Sequence, residues 1–130
     1  PFYACISCKF KTYPNYDINW GLPKMFKDGD IGFDIRSASD EEIKIGHLEV
    51  VSIPTGFSVE LPPGFHLEIV PRSGLAIMHK ITVINSPSII YPSFKGEIKI
   101  ALINFGKSEY VVKKGDRIAR GVICPTIGIL

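Results

Sequence analysis

The stretch richest in chemistry is Pro71-Arg72-Ser73-Gly74-Leu75-Ala76. It follows an apolar run, carries a hydroxyl, a guanidinium and a glycine, and opens Leu75–Lys80, the one segment that tolerates a helix. Backbone N–H groups at such a helix start, with Ser73 and Arg72 beside them, would cradle a phosphate. A simple capped turn uses the same residues, and local sequence leaves both readings open. Further on, Ile81–Pro87 and Phe94–Ile98 flank a proline-bearing loop and read as a β-hairpin whose backbone could meet a planar ligand. Cys5-x-x-Cys8 has the spacing of a redox or zinc pair, but Phe2, Tyr3, Ile6 and Phe10 around it suit a strand. Structural zinc usually takes four ligands. Cys124, His47, His66 and His79 carry no ligand spacing, so no metal site is expected.

Elements must hold these residues, and their pattern has period two. Ile98 and Ile100 should face a core while Glu97 and Lys99 face solvent, and Phe57–Leu61 and Leu67–Val70 repeat the alternation. Pro54-Thr55-Gly56, Pro62-Pro63-Gly64, Gly106-Lys107-Ser108 and Lys114-Gly115-Asp116 punctuate the runs. The 12 glycines and 10 prolines fit a molecule built from turns. Many short strands at this spacing predict an all-β sandwich or barrel.

Composition narrows the function. The 130 residues make one domain, and 45% hydrophobic against 22% charged residues exclude a disordered chain. Fifteen Lys and Arg against 13 Asp and Glu give a net charge of +2, too balanced to argue for nucleic acid or an anionic membrane. No apolar run approaches the ~20 residues of a membrane helix. The odd count of three cysteines favours a reducing, intracellular setting, cytoplasmic or viral.

Four motifs in order carry a family resemblance: Gly32-Phe33-Asp34-Ile35-Arg36-Ser37-Ala38, Pro71–Ala76, Ile81–Ile98, and Gly115-Asp116-Arg117-Ile118-Ala119. Leu22-Pro23-Lys24 and Val51–Gly56 match as well. Together they resemble the homotrimeric dUTPases (deoxyuridine triphosphate nucleotidohydrolases) from near the start to Cys124. The resemblance implies a jelly-roll or distorted β-barrel with one short helix over residues 1–130, assembled as a homotrimer with active sites at subunit boundaries. It implies that Ser73 and nearby backbone bind phosphates, with Arg72 and Gly74 shaping the turn. Asn85 would recognise uracil, Phe94 would pack beneath the deoxyribose in place of the usual Tyr, and Asp34 would lie near metal and phosphate.

Departures from the pattern fall on the chemistry. Tyr91 stands where the family has the Asp that activates the attacking water, and a phenol of pKa near 10 is a poor base at neutral pH. Arg120 replaces the Gln that follows the fourth motif, and Ser88 and Ile89 replace Gly and Thr. The family's Gly-rich C-terminal arm does not follow Leu130. A dCTP deaminase, the sister family, would need a Glu where Ala101 stands. These departures predict an inactive member with no catalytic residue. It would need no cofactor and serve as a trimeric scaffold for a protein partner or as a sensor of dUTP or dUMP. The alternative is an active dUTP diphosphatase that uses Mg²⁺.

Overall fold

A computed structural model describes residues 6–24 and 30–130. Eleven strands and one α-helix succeed one another among these residues. They are β1 (Lys9–Thr12), β2 (Phe33–Arg36), β3 (Ile43–Ile45), β4 (Val50–Pro54), β5 (Phe57–Glu60), β6 (Phe65–Val70), α1 (Ser73–His79), β7 (Ile81–Val83), β8 (Ser88–Ile90), β9 (Lys99–Asn104), β10 (Tyr110–Val112) and β11 (Arg117–Pro125). Every pairing is antiparallel. One sheet runs β2-β11-β6-β8 and another β4-β9-β7, with the two-stranded pairs β1-β5 and β3-β10 beside them. This is the all-β, jelly-roll-like architecture expected, with its single short helix beginning at Ser73.

Alternation makes the core. Leu67 and Ile69 on β6 are fully buried, as are Ile100 and Leu102 on β9, and they join Ile35, Ile53, Phe57, Ile81 and Ile118 in one apolar cluster. Side chains of a strand project alternately to its two faces, so each sheet has one buried side. The β2–β11 contact is closer than side chains allow. A Cβ on Gly32, at φ 74°, would sit 2.2 Å from the Gly121 carbonyl oxygen, and one on Gly121 would sit 2.7 Å from the Phe33 ring. Both glycines are therefore needed for the approach. Asn104 is buried at the end of β9 with its amide fully used. It donates to the carbonyls of Ile45 and Ser108, both at 2.9 Å, and accepts from the Gly106 N–H at 2.8 Å.

Three expectations are corrected by the fold. Glu97 is not a solvent-facing strand residue: β9 begins at Lys99, and the half-buried Glu97 carboxylate accepts from the Gly56 N–H at 2.9 Å and Asn15 Nδ2 at 3.1 Å. An amide in the tight Gly56 turn needs an acceptor, and Glu97 supplies it. The Ile81–Ile98 segment is not a hairpin. Strand β7 pairs with β9 and β8 pairs with β6, so the chain crosses from one sheet to the other through the cis Ser86–Pro87 peptide. Ser58, read as the polar side of β5, is buried with its neighbours Phe57 and Val59. The Cys5-x-x-Cys8 pairing lies outside the described residues on its Cys5 side. Cys8 packs against the core, and burial pushes its thiol pKa up.

Candidate active site

Strand β11 gathers the charged residues. Its register sets Arg120 opposite Asp34 of β2 on one side and opposite Val70 of β6 on the other. Two residues past Val70, Arg72 stands at the N-terminal boundary of α1, so the first and second motifs and the end of the fourth meet at one place. Asp34 is the centre. Its side chain is 11% exposed, with Oδ1 3.6 Å from both Arg72 Nε and Arg120 Nη2, and Oδ2 3.4 Å from Arg117 Nη1. Three guanidiniums around one carboxylate leave a local excess of two positive charges. The separations are long for ion pairs, and the buried Oδ1 accepts no hydrogen bond.

The guanidiniums are oriented from behind. Arg120 Nη1 donates to the Ile31 carbonyl at 2.6 Å, and Arg72 Nη1 to that of Arg117 at 3.3 Å. Arg36 donates to the Gly115 carbonyl and lies over the Trp20 ring. Beside the cluster opens a groove of about 470 Å³ between α1 and the β10–β11 turn, lined by Arg72, Gly74, Tyr110 and Arg117 among others.

Ser73 and Gly74 are exposed on the first turn of α1. No side chain caps that turn, and its first internal backbone bond is Ala76 N–H to the Arg72 carbonyl. The amides of Ser73, Gly74 and Leu75 therefore have no acceptor within the helix.

Asn85, Tyr91 and Phe94 are all exposed, Asn85 ahead of β8 and the two aromatic residues beyond it. The Phe94 N–H donates to the Tyr91 carbonyl at 3.0 Å, closing a turn that carries both rings outward. Tyr91 is 62% exposed and Phe94 43%. The protomer thus brings together Asp34, Arg72 and Arg120, with Ser73 and Gly74 next along the chain from Arg72, while Asn85, Tyr91 and Phe94 make no hydrogen bond or ion pair with them among the described residues. Arg117 was missed by sequence reasoning, although it sits inside the fourth motif, where a basic residue two positions after a Gly turn was a readable signal.

A two-sheet antiparallel domain with an arginine-ringed carboxylate at one end is an all-β fold suited to a polyanionic ligand. Comparison makes the class specific. Residues 19–128 match the dUTPase family model. A deoxyuridine 5'-triphosphate nucleotidohydrolase of Rickettsia felis is 43% identical over 88% of this chain and 76% of its own length. Those of Gloeothece citriformis and Clostridium acetobutylicum are each 44% identical over 83% of this chain and 73% of theirs. Among solved structures, the dUTPase of Streptococcus mutans superposes with a TM-score of 0.79 at 27% identity, covering 92% of this chain and 97% of that one. A mutant dUTPase from phage phi11 of S. aureus, described as coordinating a structural Mg(II) ion, shares the fold at a TM-score of 0.82 and 20% identity, with 96% and 94% covered. The chain belongs to the dUTPase family.

This corrects the functional expectation drawn from Tyr91. The relatives that match most of the chain at 43–44% identity are named as nucleotidohydrolases, which overturns the reading as an inactive scaffold and favours the enzyme. They are bacterial, which gives the viral expectation no support. The physical reason for the overreach is one of magnitude. A general base contributes about 10²–10⁴ in rate, whereas most of the catalysis of phosphoryl chemistry comes from positioning and charge stabilisation. Among the described residues no helix is long and apolar enough to cross a membrane.

Proposed function

We propose that this protein hydrolyses deoxyuridine triphosphate to the monophosphate and pyrophosphate. The observation that carries the reading is the convergence of Arg72, Arg117 and Arg120 on Asp34, beside the uncapped first turn of α1. The named relatives supply the substrate.

Each residue has a task under this reading. The three guanidiniums swing from their loose contacts with Asp34 to the phosphate chain, where planar N–H donors pair with anionic oxygens. Ser73 Oγ and the amides of Ser73 and Gly74 add neutral donors. A Cβ at Gly74 would meet nothing within 4 Å in the protomer, which leaves its backbone open to an approaching phosphate. Asn85 reads the uracil edge and Phe94 stacks under the sugar. Water attacks phosphorus and pyrophosphate leaves, its charge held by the same arginines. Tyr91 brings a hydroxyl that orients the water by hydrogen bonding.

Asp34 also bears on magnesium. One carboxylate with an unpartnered buried oxygen is an oxygen donor suited to a hard cation, but three adjacent guanidiniums disfavour a cation arriving alone. Mg²⁺ therefore fits as an ion that enters on the triphosphate, with Asp34 facing it. It would neutralise phosphate charge there.

Membership of the dUTPase family supports assembly as a homotrimer, in which Asn85, Tyr91 and Phe94 of one subunit complete the Asp34 cluster of another. Pyrophosphate release from dUTP at high protein concentration, with dTTP and UTP as controls, tests the activity. Ser73→Ala and Arg72→Ala should each lower it at least about tenfold. No release from the unmodified chain would sink the reading, and light scattering that reports a monomer at micromolar concentration would sink the trimer.

A further inference from the structure

The opposite end of β11 holds a cluster that the nucleotide reading does not use. His66 and Glu68 are two residues apart on β6 and project from one face, while Leu67 between them points into the core. Cys124 of β11 is the direct cross-strand partner of His66, so its side chain shares that outer face. One nitrogen, one carboxylate oxygen and one sulfur from these three half-buried residues lie within 4.8 Å of one another.

The imidazole is held from both sides. Nε2 is 2.8 Å from Glu68 Oε2, and Nδ1 is 2.7 Å from Thr126 Oγ1. Anchored at Nδ1 by the Thr126 hydroxyl, the ring turns Nε2 toward Glu68, on the face that Cys124 shares. A proton or a cation must lie between Nε2 and the carboxylate at that distance. Metal-binding histidines are oriented in the same way, by a hydrogen bond from the nitrogen that does not ligate.

We propose that His66, Glu68 and Cys124 form a three-ligand site for a borderline transition-metal dication, zinc foremost, with water in the fourth position. The ligand set selects the metal. Thiolate and imidazole suit zinc and cobalt and are poor ligands for magnesium or calcium, and one sulfur, one nitrogen and one oxygen make three corners of a tetrahedron. Ligand atoms about 2.0–2.3 Å from zinc sit roughly 3.3–3.8 Å apart, so Nε2 and Glu68 Oε2, now 2.8 Å apart, must part by about half an ångström, while the sulfur lies within 4.8 Å of both. A ligating imidazole must be neutral with its Nε2 lone pair free, so in the bound form the ring hydrogen sits on Nδ1, donated to Thr126, and the thiol proton leaves as the ion enters. The site is distinct from the nucleotide cluster: Cys124 lies four residues beyond Arg120 on the same strand, about 13 Å along it. Its effect is mechanical, because the ion clamps the last rungs of the β6–β11 ladder, where Pro125 pairs with Phe65.

Cobalt(II) added to the reduced full-length chain should bind one equivalent with a thiolate-to-cobalt charge-transfer band, displaced by zinc. Cys124→Ser should abolish the band, Glu68→Gln should weaken binding at least about tenfold, and Cys8→Ser should leave it intact. Zinc should raise the melting temperature of the unmodified chain, reversibly with chelator, and less so for Glu68→Gln. If Cys124→Ser does not fold, the Glu68→Gln isotherm decides. Absence of the band, its survival in folded Cys124→Ser, its loss in Cys8→Ser, or unchanged affinity in Glu68→Gln would each overturn the site.

Discussion

Arg120 and Asp34 face each other across the β2–β11 pair as direct register partners, with Nη2 3.6 Å from Oδ1. The distance matters as much as the pairing. A tight bidentate pair would consume the guanidinium, whereas this one leaves donors that an incoming phosphate can recruit.

Removing that guanidinium should therefore cost binding. Arg120→Ala should raise KM for dUTP by about 10–100-fold, the worth of one or two charge-assisted hydrogen bonds. Raising the salt concentration should weaken dUTP binding by the unmodified chain more than by the variant. Steady-state kinetics at two ionic strengths check both. An unchanged KM would remove Arg120 from the site.

Tyr91→Asp should act on kcat. It places a carboxylate of ordinary pKa about 4 where the phenol stands, and the gain should be about 10²-fold or more with little change in KM. The variant's kcat should fall as pH drops through the pKa of the new base, a limb that the unmodified chain lacks. A pH–rate comparison of the two proteins reads it directly.

Two changes should test how the site is carried. Gly32→Ala puts a methyl carbon 2.2 Å from the Gly121 carbonyl at a backbone angle that favours glycine. It should destabilise by about 1–3 kcal/mol or more and disturb the Asp34–Arg120 register as well. Asn104→Ala strands the Ile45 and Ser108 carbonyls and the Gly106 N–H, and should cost about 2–4 kcal/mol without touching the arginines. Denaturant melts with parallel dUTP titration separate the two effects.

Alkaline pH should weaken the fold through two tyrosines. Burial raises the Tyr16 and Tyr110 phenols above their ordinary value of 10.0. A raised folded pKa means that the unfolded chain ionises first. The stability is fully present below pH 10.0 and is lost as pH climbs through the higher folded values. Melting temperature should fall from about pH 10 upward, less steeply in Tyr110→Phe and in Tyr16→Phe, which also gives up a bond to the Gly21 carbonyl.

The sequence made some of this legible and concealed the rest for identifiable reasons. Leu67 and Ile69 announced a half-buried strand because period two is a local signal, and Ser73 opened the helix where the turn chemistry put it. Glu97 obeyed the same alternation on paper, yet it faces an amide 41 residues away at Gly56, which no local pattern encodes. The Ile81–Ile98 segment looked like a hairpin because proximity in sequence favours pairing of neighbours; the actual partners, β9 and β6, are chosen by which sheet buries each strand. Asp34 and Arg72 were readable from motifs, and Arg117 needed the fold to aim it. His66 and Cys124 showed no ligand spacing because the 57 residues between them in sequence are spanned by one cross-strand step.

The position of β11 has a consequence for how the molecule is made. This strand lies between β2 and β6, yet it is assembled from residues 117–125. While the ribosome is still translating the preceding hundred residues, β2 and β6 have no central neighbour and present bare strand edges. Those edges are templates for wrong pairing, and contacts that span so much sequence form slowly. Completion of the sheet is therefore a late event in the life of each nascent chain. The gathering of Asp34, Arg72 and Arg120 happens in that same closing step, so this cluster of charge is born only when the sheet is whole.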